Sequence, residues 1–124
     1  MTNNQALTAA NYCGILYGSK QITFGVANRF ERNAKNYTKI QAEIDEIKQR
    51  ANQKEASHVD LMKELNSFGM SDFEGEFKTI DLALIENLSY EEIPVIISRG
   101  DNQKQENWKI SDMLIYLQEL EIIK

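Results

Sequence analysis

His58 is the single histidine and Cys13 the single cysteine of the 124-residue chain, so any metal cluster, activated nucleophile or histidine-dependent triad must be built on one of them. The two lie far apart, and no Cys-x-x-Cys or His-x-x-x-His spacing accompanies either, which removes the ligand patterns that hold zinc. Cys13 falls on the apolar side of a helical pattern with no basic residue within a turn to lower its pKa. That is the setting of a small buried hydrophobe rather than a nucleophile. His58 reads as a helix-surface or seam residue. Asp72, Glu74 and Glu76 alternate along the chain, with Asp81 beyond, and the first three could offer oxygen ligands to a hard cation. No D-x-D-x-D-G loop surrounds them, and the same alternation is what a half-buried strand needs to turn Phe73 and Phe77 inward. There is no P-loop, G-x-G-x-x-G, G-x-S-x-G or H-E-x-x-H motif. The expectation is therefore no catalytic, cofactor-binding or metal residue, no cofactor, and no enzymatic activity.

The remaining chemistry is charge. The net charge of −5 is unevenly spread: residues 1–60 sum to +2 and residues 61–124 to −7. Arg29, Arg32, Lys35 and Lys39 recur every three or four residues and line one side of a helix, where they could meet phosphates, an acidic protein or the acidic half of the same chain. Base-reading side chains, aromatic platforms and a positive net charge are missing, so nucleic acid is not the expected partner. Glu74 and Glu76 head an acidic run reaching Glu92 that could imitate phosphates or cover a basic site. Arg99-Gly100-Asp101 spells an adhesion tripeptide but reads as a turn. The sequons at Asn36 and Asn87 are discounted, because the opening MTNNQALTAANY lacks the basic region and apolar run of a signal peptide. No apolar stretch approaches the roughly 20 residues that cross a bilayer.

These residues must be positioned by the elements around them. Leu7 to Tyr17 reads as a short helix burying Ala10, Cys13, Leu16 and Tyr17, stopped at Gly18-Ser19. Gln21 to Phe24 is extended or a tight turn. A long helix starts near Thr23 and runs to Arg50 or slightly beyond, about 43 Å. Phe30, Tyr37, Ile44 and Ala51 fall seven apart with Ile40 and Ile47 interleaved, a heptad seam broken only at Asn33. The interaction seam expected from this register is Phe30, Tyr37, Ile40, Ile44 and Ile47. Either a turn near Asn52 folds residues 57–68 back as a second arm, or the helix continues to Phe68. Ser57 with acidic Asp60 three residues on has cap spacing and favours the hairpin. Gly69 is the expected residue just past that helix.

Beyond it, Phe73 to Ile80 reads as a strand or extended segment, and Leu82 to Leu88 as a short helix. Ser89 to Glu92 has capping-box spacing for another helical turn, closed by Pro94. Val95 to Ile97 is a candidate strand, Ser98 to Asn107 a polar loop, and Trp108 to Ile122 a final helix with Met113, Leu114, Leu117, Leu120 and Glu121 along its stripe. The predicted fold is mainly α: a coiled-coil-like long-helix hairpin, a small extended or β segment and a C-terminal helix. It forms one domain over 1–124, divided into an N-terminal helix and turn (1–22), the helical hairpin (23–68) and a mixed segment with the last helix (69–124).

The order of elements resembles that of a group of small uncharacterised proteins of tailed bacteriophages. The likeness rests on Leu16 to Ala27 (LYGSKQITFGVA), the helix to Arg50, and Glu76 to Leu84 (EFKTIDLAL); the part from Val95 to Lys124 departs from it. That resemblance implies a phage origin and carries no mechanism. The function expected on this reading is protein–protein contact, as a virion or assembly component or an oligomeric accessory factor, with self or another protein as partner. A homo-oligomer is the expected state, without membrane association, in the bacterial host cytoplasm or the virion. An acidic inhibitor of a host or defence enzyme is the alternative, and a nucleic-acid-binding module using the basic stripe a weaker one.

Overall fold

The computed structural model describes residues 1–19 and 22–124. The part of the expected turn that falls on Gln21 lies outside them, as do the side chains of Ser89 and Tyr90. The chain runs through α1 (Asn3–Tyr17), α2 (Phe24–Gln53), α3 (His58–Met70), two short 3-10 turns (Leu82–Leu84 and Glu86–Tyr90), β1 (Glu92–Arg99), β2 (Asn102–Lys109) and α4 (Ile110–Glu119). The mainly helical fold, with a helical hairpin, a small antiparallel pair and a C-terminal helix, is the one predicted.

Each of the first three helices begins on a hydroxyl cap. Thr2 accepts the Gln5 N–H while the Gln5 side chain accepts the Thr2 N–H, a reciprocal pair that starts α1 well before Leu7. Thr23 caps α2 at Val26 and Ser57 caps α3 at Asp60. The stops are less conventional. Glu55 has φ +53° and Glu121 φ +61°. After α2, the Ala56 N–H reaches the Ala51 carbonyl and the Glu55 N–H the Asn52 carbonyl; after α4, Ile122 and Glu121 reach Leu117 and Gln118 in the same way. Both helices thus end in the left-handed turn that normally carries glycine, here carrying glutamate.

Ala6, Ala9, Ala10, Cys13 and Leu16 form the buried stripe of α1. Its small residues allow a close approach to α2: a Cβ on Gly14 would sit 3.6 Å from that of Ala34. Tyr17, expected in that stripe, is exposed. The core joins this stripe and Val26 and Phe30 of α2 to Ile80, Ile85, Leu88, Ile110, Met113, Leu114, Leu117, Ile122 and Ile123. Tyr12 stands edge-on to Trp108 and Tyr116, tying α1 to β2 and α4.

Several expectations need correction. Gly69 is not the residue after α3 but lies buried inside it, where a Cβ would meet the Asn4 side chain at 2.5 Å; the glycine serves the crossing with α1, and Ser71 is the cap. Nor does Glu91 to Pro94 form a helical turn: Glu92 opens β1, and Pro94 sits in it opposite Asn107. The ten-residue polar loop is mostly β2. A strand with little apolar alternation leaves no signal, because nothing packs over most of it. Trp108 belongs to that strand, so α4 starts at Ile110 and stops at Glu119, ahead of the left-handed Glu121. Gly100 (φ +63°) and Asp101 make the two-residue turn between the strands, with glycine at the first position.

Candidate protein-contact surfaces

Asn33, the single polar interruption of the heptad, is 1% exposed. Its amide nitrogen donates to the Lys78 carbonyl (3.0 Å) and its oxygen accepts the Lys78 N–H (2.6 Å). One turn to either side, Arg29 donates to the Thr79 carbonyl and Asn36 to the Glu76 carbonyl. Three side chains of α2 thereby stand in for a neighbouring strand, holding residues 76–79 extended without a sheet. Isolated bridges pin the same segment at Thr2–Asp72 and Ile80–Ile123. Phe73 and Phe77 are half-buried, their rings 5.5 Å apart and tilted by 53°, but the buried residue after them is Ile80, whereas alternation would continue to Thr79. The strict alternation read from the sequence slips by one residue there.

The rest of the heptad divides by position. Phe30 belongs to the core, and Ile40 is the last buried residue of α2. Ile44 and Ile47 are half-buried, as are Leu61, Leu65 and Phe68 of α3, which folds back along them. Tyr37 is 41% exposed at the outer edge of the α1–α2 groove, beside Ile15 and Ala34. Among the described residues, none from 41 to 68 is fully buried. The outer part of the hairpin is therefore a two-helix arm standing clear of the core, with Gln41–Gln53 alone extending about 20 Å. A pair of helices has no third element to close its seam. At its far end a cavity of about 320 Å³ opens between Ile47, Ala51 and Leu61, rimmed by Arg50, Lys54 and Glu64. On the outer face of α3, Val59, Met62 and Met70 are 62%, 41% and 70% exposed. These three were not read from the sequence as contact residues, although their spacing of three and then eight sets them on one helical face.

Arg29, Arg32, Lys35 and Lys39 are all exposed, as are Glu74 and Glu76. Arg29 is the one of these whose guanidinium is tied down, at Thr79, beside an open depression also lined by Asn28, Arg32 and Lys78. His58 is exposed at the start of α3. Cys13 is fully buried, and burial pushes its thiol up to about 12 despite a contact with Asn33. Burial likewise raises Tyr116, against a lowering contact with Thr8. Among the described residues no group of three His, Cys, Asp or Glu side chains is placed to hold a metal, and no helix is long and apolar enough to cross a membrane.

The β1–β2 pair is the second element that leaves the body. Ile93, Val95 and Ile97 are half-buried on one face, paired with Trp108, Glu106 and Lys104, while Ile96 on the other face is 68% exposed. Glu106 lies 3.9 Å from Lys104 and accepts from the Trp108 indole. The chain matches no protein-family model, no curated protein and no solved structure.

Proposed function

We propose that this is a non-enzymatic protein, of phage origin on the resemblance above, that works by protein–protein contact as an assembly component or oligomeric accessory factor, and that the α2–α3 arm is its contact element. The observation that supports this is the arm itself. A helix pair standing outside the core keeps Ile44, Ile47, Leu61 and Leu65 half-open and Val59 and Met62 in solvent, exposed apolar surface of the kind that marks interaction sites. An apolar cleft with a charged rim at the tip is the form in which an anchor side chain docks.

The alternative of an acidic inhibitor draws on the exposure of Asp72, Glu74, Glu76 and Asp81 along one stretch. It predicts binding that weakens steeply with salt, whereas contact through the arm is largely salt-independent.

A photo-crosslinking residue placed at Val59 or Met62 in cells that make the protein tests the proposal. The expected result is one discrete adduct from the arm positions, absent from a control at exposed Asn87, and lost in Val59→Glu/Met62→Glu with an unchanged melting curve. Equal labelling from arm and control positions would overturn it.

A further inference from the structure

We propose that a second copy of this chain adds to the free edge of β2, making a four-stranded antiparallel sheet across a two-fold axis at Gln105. This surface is separate from the arm, and the inference stands whether or not the arm binds a partner.

The register decides which backbone groups point outward. Arg99 pairs with Asn102 across a two-residue turn, and the Ile110 N–H bonds to the Glu91 carbonyl at 3.0 Å. Both fix the odd-numbered residues of β1, with Asn102, Lys104, Glu106 and Trp108 of β2, as the hydrogen-bonded pairs. The N–H and C=O groups of Gln103, Gln105 and Asn107 therefore face away from β1, and among the described residues they meet no partner. On the other edge the outward residues are Glu92, Pro94, Ile96 and Ser98. Pro94 has no N–H, so that edge is interrupted where strand addition would begin. One edge is blunted and the other is complete.

Charge selects the occupant. With the axis at Gln105, Gln105 pairs with its own copy and Gln103 with the second copy's Asn107, an exchange of about six backbone hydrogen bonds. In the same register Lys104 lies opposite the second copy's Glu106, and Glu106 opposite the second copy's Lys104. Moving the axis one residue either way sets Lys104 against Lys104 or Glu106 against Glu106, so the sequence itself opposes the adjacent registers. The Lys104 side chain is 78% exposed and Glu106 38%, leaving both free to turn toward the new strand. The two bodies then sit at opposite ends of the sheet, their Lys109 residues about 27 Å apart along the strands. The product joins two copies of the row Ile93, Val95 and Ile97 on one face. It also widens a two-stranded hairpin, tied to the body at Ile93 and Trp108, into a four-stranded sheet of stable size.

The test is absolute mass by light scattering on a sizing column, from micromolar to millimolar concentration, for the intact chain. Wild type is expected to approach twice the monomer mass. Gln105→Pro removes only an outward N–H, so it should return the mass to that of a monomer while far-UV dichroism and Trp108 fluorescence stay as in wild type. Lys104→Glu should weaken association, and Lys104→Glu/Glu106→Lys should restore it. A wild-type monomer at every concentration overturns the proposal. So does a dimer that survives Gln105→Pro. A dimer abolished by Val59→Glu/Met62→Glu and untouched by Gln105→Pro would assign self-association to the arm instead.

Discussion

Replacing Asn33 with leucine repairs the heptad of α2, and a reading of the helix by its periodicity alone expects the change to stabilise the chain. The structure expects the opposite sign. Leucine has nearly the shape of asparagine, so its burial would return about 1.5–3 kcal/mol of transfer free energy. It would also strip the Lys78 N–H and C=O of partners at 2.6 and 3.0 Å. Leaving part-buried backbone groups unmet costs up to about 1–3 kcal/mol for each. The balance is a loss of about 2 kcal/mol. Taking an unfolding entropy of about 2.1 cal/mol/K per residue, that loss lowers Tm by roughly 8 °C in a chain of this length. Thermal and urea unfolding followed at 222 nm measure the loss, and amide exchange localises it, since Lys78 should exchange faster with little change in α1. A Tm at or above that of wild type, with Lys78 protection unchanged, would show that the amide clasp contributes nothing and that the heptad was the right guide.

Two further outcomes follow from groups that no contact surface uses. The Cys13 thiol titrates near 9.0 when unfolded and at about 12 when folded. Its contribution to stability is therefore complete below pH 9 and is lost between about pH 9 and 12, at about 1.4 kcal/mol per pH unit. Urea midpoints of wild type and Cys13→Ala, measured from pH 8 upward, should converge on that slope; parallel curves would mean the thiol is not held neutral by burial. Glu121→Gly, which relieves a side chain in the left-handed turn after α4, should raise stability by about 0.5–1 kcal/mol, read from the same urea curves, and a loss would show that the glutamate side chain is itself needed there.

The long helix, its fold-back and the Ser57 cap were legible because they depend on local signals: hydroxyl caps, a 3.5-residue period and a polar break. The end of α4 was not, since it stops at a left-handed glutamate where a reader looks for glycine. β2 was hidden for a different reason. Its residues, Asn102 to Lys109, are polar on both faces through most of their length, and only pairing with β1 makes them a strand. The heptad makes the seam one surface in the sequence, but tertiary context splits it: Phe30 goes to the core, Asn33 and Asn36 to the 76–79 backbone, and Ile44 and Ile47 to α3. Asn33 marked the division, and as an isolated mismatch in a heptad it could be noticed but not interpreted without knowing what lay across from it. The outer stripe of α3 carries no signal of its own in the sequence, because Val59, Met62 and Met70 are interleaved with the apolar residues that the hairpin turns inward.

The segment from Ser71 to Leu82 is held from three distant directions: Ser71 and Phe73 by the first residues of the chain, residues 76–79 by the side chains of α2, and Ile80 and Leu82 by Ile122 and Lys124. Helices and a tight β-hairpin form from neighbours in sequence and close early in folding; this segment cannot, because its partners lie some forty or more residues away on either side. It is expected to be the last piece to dock. On the ribosome it must wait for the synthesis of residues 122–124 before its final hydrogen bonds exist. Substitutions in the clasp should then leave the folding rate nearly unchanged and accelerate unfolding, the kinetic mark of contacts made after the barrier is crossed.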